Sequence, residues 1–289
     1  MSIISAESLF KLIGTQDPIA SLNNSNTVIL FTTKEGNGPG QKSPLVLQSP
    51  NLYIPGSVYF DLETTFSDQK SELSSTMLNA DDFAQRLGEL GITNKHNIII
   101  YDDHGNFYAS RVWFMFKTIG HENVSVLDGG LHQWMRLSYP LHKTCSRKLE
   151  TNKYFAKPCN DFQFVDQLFV LNIVNNKPAN TAIIDARSLA RFNAKLPEQK
   201  EGLRSGHIPS SFSLHYADLQ TSDFEFKGVT LLSSYFAPYQ GKDLVFSCGS
   251  GITACILAQA AYMLGFRSLY VYDGSWSEWG ADNSLPIEV

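Results

Sequence analysis

Short apolar runs alternate along the chain with segments of helical period. The runs predicted as strands are Val28–Phe31, Ile98–Tyr101, Ala182–Ile184 and Leu244–Phe246. Because these runs are apolar at every position, they indicate strands covered on both faces, as in a parallel sheet. Between the first two runs, Phe83, Leu87 and Leu90 share one face of a helix that Asn79 is placed to cap. Strands alternating with helices predict an α/β fold.

The chain contains an internal repeat. Val126–Trp134 resembles Val271–Trp279 at an offset of 145, and Ile54–Ser57 resembles Ile208–Ser211 at an offset of 154. Two consistent offsets indicate one duplicated unit whose second copy is shorter in its middle. We therefore predict two domains, residues 1–138 and 161–289. The linker between them, residues 139–160, contains two prolines and several Lys and Arg residues and has no periodicity.

Composition narrows the class of protein. The chain has 289 residues, is 43% hydrophobic, and carries 23 Lys and Arg against 28 Asp and Glu, a net charge of −5. This balance argues against a nucleic-acid binder that uses a broad basic face. No apolar run approaches the length of a membrane span. Residues 1–20 include Glu7, Lys11 and Asp17, which predicts a short amphipathic helix rather than a signal peptide and hence a cytoplasmic protein.

The cysteines indicate neither a disulfide framework nor a metal site. Cys145, Cys159, Cys248 and Cys255 are too few for a disulfide-rich fold, and none forms a Cys-x-x-Cys pair. No metal and no cofactor are therefore expected. Cys145 and Cys159 fall in the predicted linker, and Cys255 falls on an apolar helix where a core role is favoured.

Cys248 has a different setting. The strand Leu244–Phe246 leads into Cys248-Gly249-Ser250-Gly251-Ile252-Thr253 and then into a helix that is apolar nearly all round. Two glycines allow the backbone to turn its N–H groups inward, and the helix N-terminus adds further unpaired N–H groups. Such a loop binds an anion and favours the thiolate of a cysteine at its first position. A nucleophilic Cys248 is therefore predicted in preference to a structural one.

The matching loop of the first copy has lost this chemistry. At the offset of 145, Cys248 corresponds to Asp103, within Asp102-Asp103-His104-Gly105-Asn106. The first copy is therefore expected to be non-catalytic.

Several further motifs resemble those of the tandem-rhodanese sulfurtransferases over nearly the whole chain. They are Asp185-Ala186-Arg187, Gly206-His207-Ile208-Pro209, Leu127-Asp128-Gly129-Gly130 and Tyr272-Asp273-Gly274-Ser275-Trp276. The Cys248 loop is similar to that of 3-mercaptopyruvate sulfurtransferases, whereas thiosulfate-using members usually carry Arg and Lys where this chain has Gly249 and Ser250. The resemblance implies two rhodanese-like domains, each a mainly parallel central sheet flanked by helices, with the catalytic loop in the second.

The resemblance also implies roles for single residues. Cys248 would accept sulfur as a persulfide, and Arg191 and Lys200 would bind the donor, Lys200 standing where an arginine is usual. Ser250 would join a hydroxyl relay with Glu63 and Thr76, the latter in place of a histidine. The loop residues Gly249, Gly251, Ile252 and Thr253 would supply the backbone amides.

These implications lead to one function and leave alternatives open. We expect sulfur transfer from 3-mercaptopyruvate to a thiol, cyanide or thioredoxin, with no nucleic-acid or membrane partner. A thiosulfate sulfurtransferase using the same cysteine, or a non-catalytic rhodanese-like binding module, are the alternatives. A Cys-x5-Arg phosphatase is disfavoured because the required arginine position holds Ala254.

Overall fold

A computed structural model of the chain describes residues 2–14, 17–34, 42–145, 147–198 and 200–289. The strands are β1 (Ile3–Ile4), β2 (Thr27–Thr32), β3 (Ser57–Tyr59), β4 (Asn97–Asp102), β5 (Val124–Leu127), β6 (Phe162–Val165), β7 (Thr181–Asp185), β8 (Phe212–Ser213), β9 (Asp243–Ser247) and β10 (Leu269–Tyr272). The α-helices are α1 (Ala6–Ile13), α2 (Pro18–Asn24), α3 (Pro44–Gln48), α4 (Ala80–Glu89), α5 (Ala109–Thr118), α6 (Gly130–Arg136), α7 (Gln167–Asn176), α8 (Leu189–Phe192), α9 (Val229–Phe236), α10 (Ala254–Met263) and α11 (Ser275–Trp279). Two short 3-10 helices cover Tyr216–Leu219 and Ala237–Tyr239.

The strands form two five-stranded sheets of the same topology. The orders are β1-β5-β4-β2-β3 and β6-β10-β9-β7-β8, and every strand pair is parallel. Strand by strand, the second order repeats the first, as the duplicated sequence predicts. The four predicted strand runs lie within β2, β4, β7 and β9, which are almost entirely buried.

Helices cover the sheets with the predicted faces. The Oδ1 atom of Asn79 accepts the Asp82 N–H at 2.9 Å at the start of α4, and Phe83 and Leu87 are fully buried. Every residue of α10 from Ala254 to Ala261 is buried, as its apolar sequence predicts. In each sheet the core also includes the tryptophans beside the glycine-rich turns, Trp134 in one and Trp276 and Trp279 in the other.

The prediction of a single helix over residues 1–20 is wrong. Ile3–Ile4 pairs with β5, α1 ends before Gly14, and a second helix begins at Pro18. Gly14 has a φ of 66°, a conformation that favours glycine, and proline is well suited to the first turn of a helix because it needs no N–H partner there.

The chain divides into two compact units that are not contiguous in sequence. Unit 1 comprises residues 1–68, 78–159 and 221–226; unit 2 comprises residues 69–77, 160–220 and 227–289. Each unit therefore includes a short segment from the other half of the chain. In unit 2, for example, the Met77 N–H donates to Oδ2 of Asp273 at 2.8 Å. The boundaries 1–138, 139–160 and 161–289 remain a prediction.

No helix among the described residues is long and apolar enough to cross a membrane.

Candidate active site

Cys248 follows the central strand of the sheet in unit 2. β9 lies between β10 and β7, and it ends at Ser247, so Cys248 occupies the carboxyl edge of the sheet. Ligands of parallel α/β sheets bind outside this edge. α10 begins at Ala254, two residues later than the sequence predicts, because residues 252 and 253 complete the loop. Gly251 has a φ of 72°, which gives the loop its turn. Cys248 itself is 2% exposed.

Residues at the start of α11 form hydrogen bonds with the backbone of the Cys248 loop. Oγ of Ser275 accepts the Cys248 N–H at 3.1 Å, and the Trp276 N–H donates to the Cys248 carbonyl at 3.0 Å. Both the backbone N–H and the hydroxyl of Ser277 donate to the Gly249 carbonyl, at 2.8 and 2.7 Å. These four hydrogen bonds fix the backbone on either side of the Cys248 peptide, so the position of the thiol is set before any ligand binds.

Arg191 extends from α8 toward this loop. A side-chain carbon at position 249 would lie 3.4 Å from Nη2 of Arg191, so the guanidinium packs directly against Gly249. Glu198 orients it: Nε of Arg191 donates to Oε1 at 3.3 Å, and Nη2 forms a short bond with Oε2. The loop thus has a cation beside it that is itself held in place by two contacts.

Glu198 belongs to a buried network of two arginines and two carboxylates. Its side chain is 2% exposed, and its Oε1 also accepts Nη1 of Arg187 at 2.8 Å. Arg187 pairs in turn with Asp185 at 2.6 Å and lies 4.3 Å over the Trp276 ring. Burial alone lowers the pKa of Arg187, but the charges of Asp185 and Glu198 outweigh it and raise the pKa, so the guanidinium stays charged. Arg187 and Asp185 both belong to the Asp185-Ala186-Arg187 motif, whereas Glu198 has no local sequence signal because it lies in an irregular segment.

Tyr216, which lies near Cys248, and its neighbour His215 are not apparent as site residues from the sequence. The Tyr216 N–H donates to the Ala186 carbonyl at 3.2 Å, which places it at the same sheet edge as Cys248. Burial, and then the electrostatic interaction with Cys248, raise the pKa of Tyr216, so its phenol is neutral at physiological pH. For His215, burial lowers the pKa, Asp218 opposes the shift, and the nearby Arg191 adds to it. The Cys248 loop therefore has the Arg191 cation beside it, and the thiol has a neutral phenol in its surroundings.

The matching loop of unit 1 shows what this backbone conformation binds. The carboxylate of Asp102 accepts four backbone N–H groups at 2.7–3.0 Å, those of His104, Asn106, Tyr108 and Ala109. The loop therefore surrounds a carboxyl group that is part of the chain itself; burial raises the pKa of this carboxyl, and the backbone N–H groups of Ala109 and His104 oppose the shift. At the offset of 145, Asp102 corresponds to the uncharged Ser247, and the four donors correspond to Gly249, Gly251, Thr253 and Ala254.

Comparison with known proteins agrees with this arrangement. Residues 49–137 and 170–282 match the family described as "Rhodanese-like domain". The chain belongs to this family. The expected fold, two rhodanese-like domains in tandem, is thereby confirmed.

Three relatives define the similarity. The chain is 37% identical over 255 residues to the "3-mercaptopyruvate sulfurtransferase" of Escherichia coli K12, covering 86% of this chain and 88% of the relative. It is 35% identical over 256 residues to the "Thiosulfate/3-mercaptopyruvate sulfurtransferase 1, mitochondrial" of Arabidopsis thaliana, covering 82% and 67%. Among solved structures, the crystal structure of SseA, a 3-mercaptopyruvate sulfotransferase from Escherichia coli, has a TM-score of 0.76 at 30% identity, and the match covers 96% of this chain and 100% of that one.

The remaining residues predicted for the site lie in several places. Ser250 is half-buried in the loop, while Ile252 and Thr253 are buried. Lys200 is exposed and forms no hydrogen bond or ion pair with another described residue. Thr76 lies in unit 2, where its hydroxyl donates to the Leu73 carbonyl at 3.0 Å and shares a second hydrogen bond of 2.8 Å with the Ser71 hydroxyl. Glu63 lies in unit 1 and pairs with Lys34 at 3.0 Å. The relay through Glu63, Thr76 and Ser250 stays a prediction.

The other thiols have separate environments. Cys255 is fully buried on α10, and its Sγ donates to the Gly251 carbonyl at 3.3 Å, which makes it part of the support of the loop. Burial raises the pKa of Cys145 to about 12, so this thiol is protonated at neutral pH. Within the described residues, no group of three or more His, Cys, Asp or Glu residues is arranged to hold a metal ion.

Proposed function

We propose that this protein is a sulfurtransferase that moves a sulfur atom from 3-mercaptopyruvate to a thiol or cyanide acceptor through a persulfide on Cys248. One observation carries the proposal. In unit 1 four loop amides bind the carboxyl group of Asp102, whereas the matching position before the Cys248 loop is the uncharged Ser247, so the equivalent amides have no carboxyl group of their own at that position and lie next to a cysteine. A thiolate or persulfide is the anion that suits such a loop.

Arg191 binds the donor in this proposal. Its guanidinium lies against Gly249 and is oriented by Glu198, so its remaining N–H groups are placed for a carboxylate next to the loop. A fork of two N–H groups matches a carboxylate better than a single ammonium does. The half-buried hydroxyl of Ser250 donates a hydrogen bond to the ketone oxygen of the same donor.

The transfer proceeds in two displacements. The Cys248 thiolate attacks the sulfur of 3-mercaptopyruvate, the S–S bond forms, and the carbon–sulfur bond breaks with its electron pair leaving as the enolate of pyruvate. The enolate takes up a proton, and the persulfide releases the proton of the donor thiol. An acceptor thiolate or cyanide then attacks the outer sulfur, which restores the Cys248 thiolate. The loop amides stabilise negative charge on sulfur in both steps.

The same geometry favours 3-mercaptopyruvate over thiosulfate. Thiosulfate carries two negative charges close to the reacting sulfur, whereas Gly249 and Ser250 add no cation to the loop. One relative carries both donors in its name, so we expect a preference rather than exclusion. We further propose thioredoxin as an acceptor and the cytoplasm as the site of action.

Mass spectrometry after incubation with 3-mercaptopyruvate tests the proposal. We expect the mass of one added sulfur atom on the peptide that contains Cys248, removable by cyanide with formation of thiocyanate. The same treatment of Cys248→Ser should add no sulfur and form no thiocyanate. Sulfur found only on Cys145, Cys159 or Cys255 would show that another thiol is used.

A further inference from the structure

A large cavity with basic walls lies in unit 1, at the amino ends of β2 and β4. Its volume is about 980 Å³, and three segments line it, residues 19–26, 91–96 and 147–157. The cations in its lining are Lys95, Arg147, Lys148, Lys153 and Lys157, and the one acidic residue among the described lining is Glu150. We call this cavity the basic cleft. In a chain whose net charge is −5, such a concentration of positive charge needs an explanation.

Stabilisation of helix ends does not account for the lysines. α4 ends at the cleft, and cations often compensate the carbonyl groups of a helix C-terminus. Here backbone N–H groups already satisfy those carbonyls: Gly91 and Asn152 donate to Gly88 at 2.9 and 2.8 Å, and Ile92 donates to Leu87 at 2.8 Å. Among the described residues, no carboxylate forms a salt bridge with Lys95, Lys148, Lys153 or Lys157. Their charges are therefore available to a ligand.

Arg147 has a structural role as well. Nη1 donates to the Thr27 carbonyl at 3.0 Å, and Nη2 donates to Oδ1 of Asn23 at 2.7 Å, which fastens the segment to the base of the sheet. Neither partner is charged, and burial lowers the pKa of Arg147 without making it neutral. The cleft thus contains a half-buried positive charge that these partners leave uncompensated.

An aromatic ring stands at the same cleft. The side chain of Phe155 is 64% exposed. Its backbone is held by Asn94 on both sides, since the Phe155 N–H donates to Oδ1 at 2.9 Å and Nδ2 donates to the Phe155 carbonyl at 2.8 Å. An exposed ring on a fixed backbone offers a flat surface on which a base can stack at small entropic cost.

We propose that the basic cleft binds a nucleotide, with its phosphates among the lysines and its base on Phe155. Neighbouring cations and one rigid aromatic ring are the combination that recognises a phosphorylated nucleoside. The ligand is a free nucleotide or the end of an RNA strand, since both carry this chemistry. The residues of the basic cleft are different from those of the Cys248 loop, so the proposal of nucleotide binding does not depend on the proposal of sulfur transfer.

Titration of the full-length protein at low salt tests this site, with ATP, inorganic triphosphate and a uridine hexanucleotide as probes. ATP should bind saturably and more tightly than triphosphate. Lys148→Gln/Lys153→Gln should weaken both about tenfold, because two charge-assisted contacts near the surface are removed. Phe155→Ala should weaken ATP about fivefold or more, by loss of stacking, and leave triphosphate unchanged.

Lys227→Gln/Lys242→Gln is the matched control. It removes the same charge from two half-buried lysines of unit 2 whose ammonium groups donate to the carbonyls of Asp218 and Ala179, and it should leave ATP binding unchanged. The hexanucleotide distinguishes the two sources of the nucleotide. If the protein binds it at least a hundredfold more tightly than ATP, the site is assigned to RNA; if it binds it less than a hundredfold more tightly, the site is assigned to a free nucleotide. Absence of saturation by ATP, equal binding of ATP and triphosphate, or equal weakening by the control would overturn the proposal. Each variant's thermal unfolding is recorded, so a binding loss counts only where the fold is intact.

Discussion

Replacing Arg191 with lysine tests the donor site most directly, because the charge is kept and only the geometry changes. In the native structure, Nε and Nη2 of Arg191 contact Glu198 while the guanidinium lies against Gly249. The Glu198 carboxylate is 2% exposed and needs a partner. In Arg191→Lys the single ammonium group satisfies Glu198, and the donor carboxylate is left without a cation.

The size of the expected effect is set by the charge-assisted hydrogen bond between the guanidinium and the donor carboxylate. A hydrogen bond to a charged group contributes about 1.5–3 kcal/mol, and each 1.4 kcal/mol is about a tenfold change. The Arg191 side chain is 25% exposed, so solvent screens part of this interaction and the lower half of the range applies. We therefore expect kcat/KM for 3-mercaptopyruvate to fall about tenfold to thirtyfold, mainly through KM, because the carboxylate is bound equally in the ground state and the transition state.

Steady-state kinetics with two donors separates this role from a general one. Inorganic polysulfide, which has no carboxylate, should be used by Arg191→Lys and by the native protein at the same rate. Arg267→Lys is the matched control, since Arg267 is exposed and stacks on Tyr262 away from the loop. An unchanged KM for 3-mercaptopyruvate, or an equal loss with polysulfide, would refute a carboxylate-binding Arg191.

Three further predictions concern the thiol, the loop and a buried acid. Cys248→Ser should abolish thiocyanate formation with an unchanged unfolding temperature, while Cys159→Ser stays active; residual turnover in the first variant would contradict a persulfide mechanism. Gly249→Arg/Ser250→Lys should raise the ratio of thiosulfate to 3-mercaptopyruvate use in kcat/KM, at some cost in total activity because the new arginine meets the Arg191 guanidinium; an unchanged ratio would mean that the loop does not select the donor. Burial raises the pKa of Asp128 to about 6, above its unfolded value of 3.8, so the native protein binds more protons than the unfolded chain between these values and its stability falls as pH rises from about 4 to 6. Asp128→Asn should remove that part of the pH dependence in denaturant unfolding, and an identical pH profile for the two proteins would rule out the assignment.

Residues whose roles are local could be predicted from the sequence, and residues whose roles depend on distant partners could not. Neighbours along the chain determine the strand runs, the Asn79 cap and the loop around Cys248. Because the sequence is duplicated, the strands can be recognised in both copies. Glu198 acts through arginines seven and eleven positions away in an irregular segment, so no spacing marks it. Asp102 corresponds to Ser247, one position before the degenerate Asp103, and only the backbone geometry reveals that it supplies the anion of its loop.

The exchange of short segments between the two units has a consequence for how the chain folds as it is made. Unit 2 requires residues 69–77, and the N–H of Met77 bonds to Asp273, which lies 196 positions later. During synthesis this segment leaves the ribosome long before its partner exists, so the unit that carries Cys248 closes only after residue 273 has been made. Unit 1 likewise reaches its final structure only after residues 221–226 have been made. Neither half of the sequence therefore contains all the segments of one of these units.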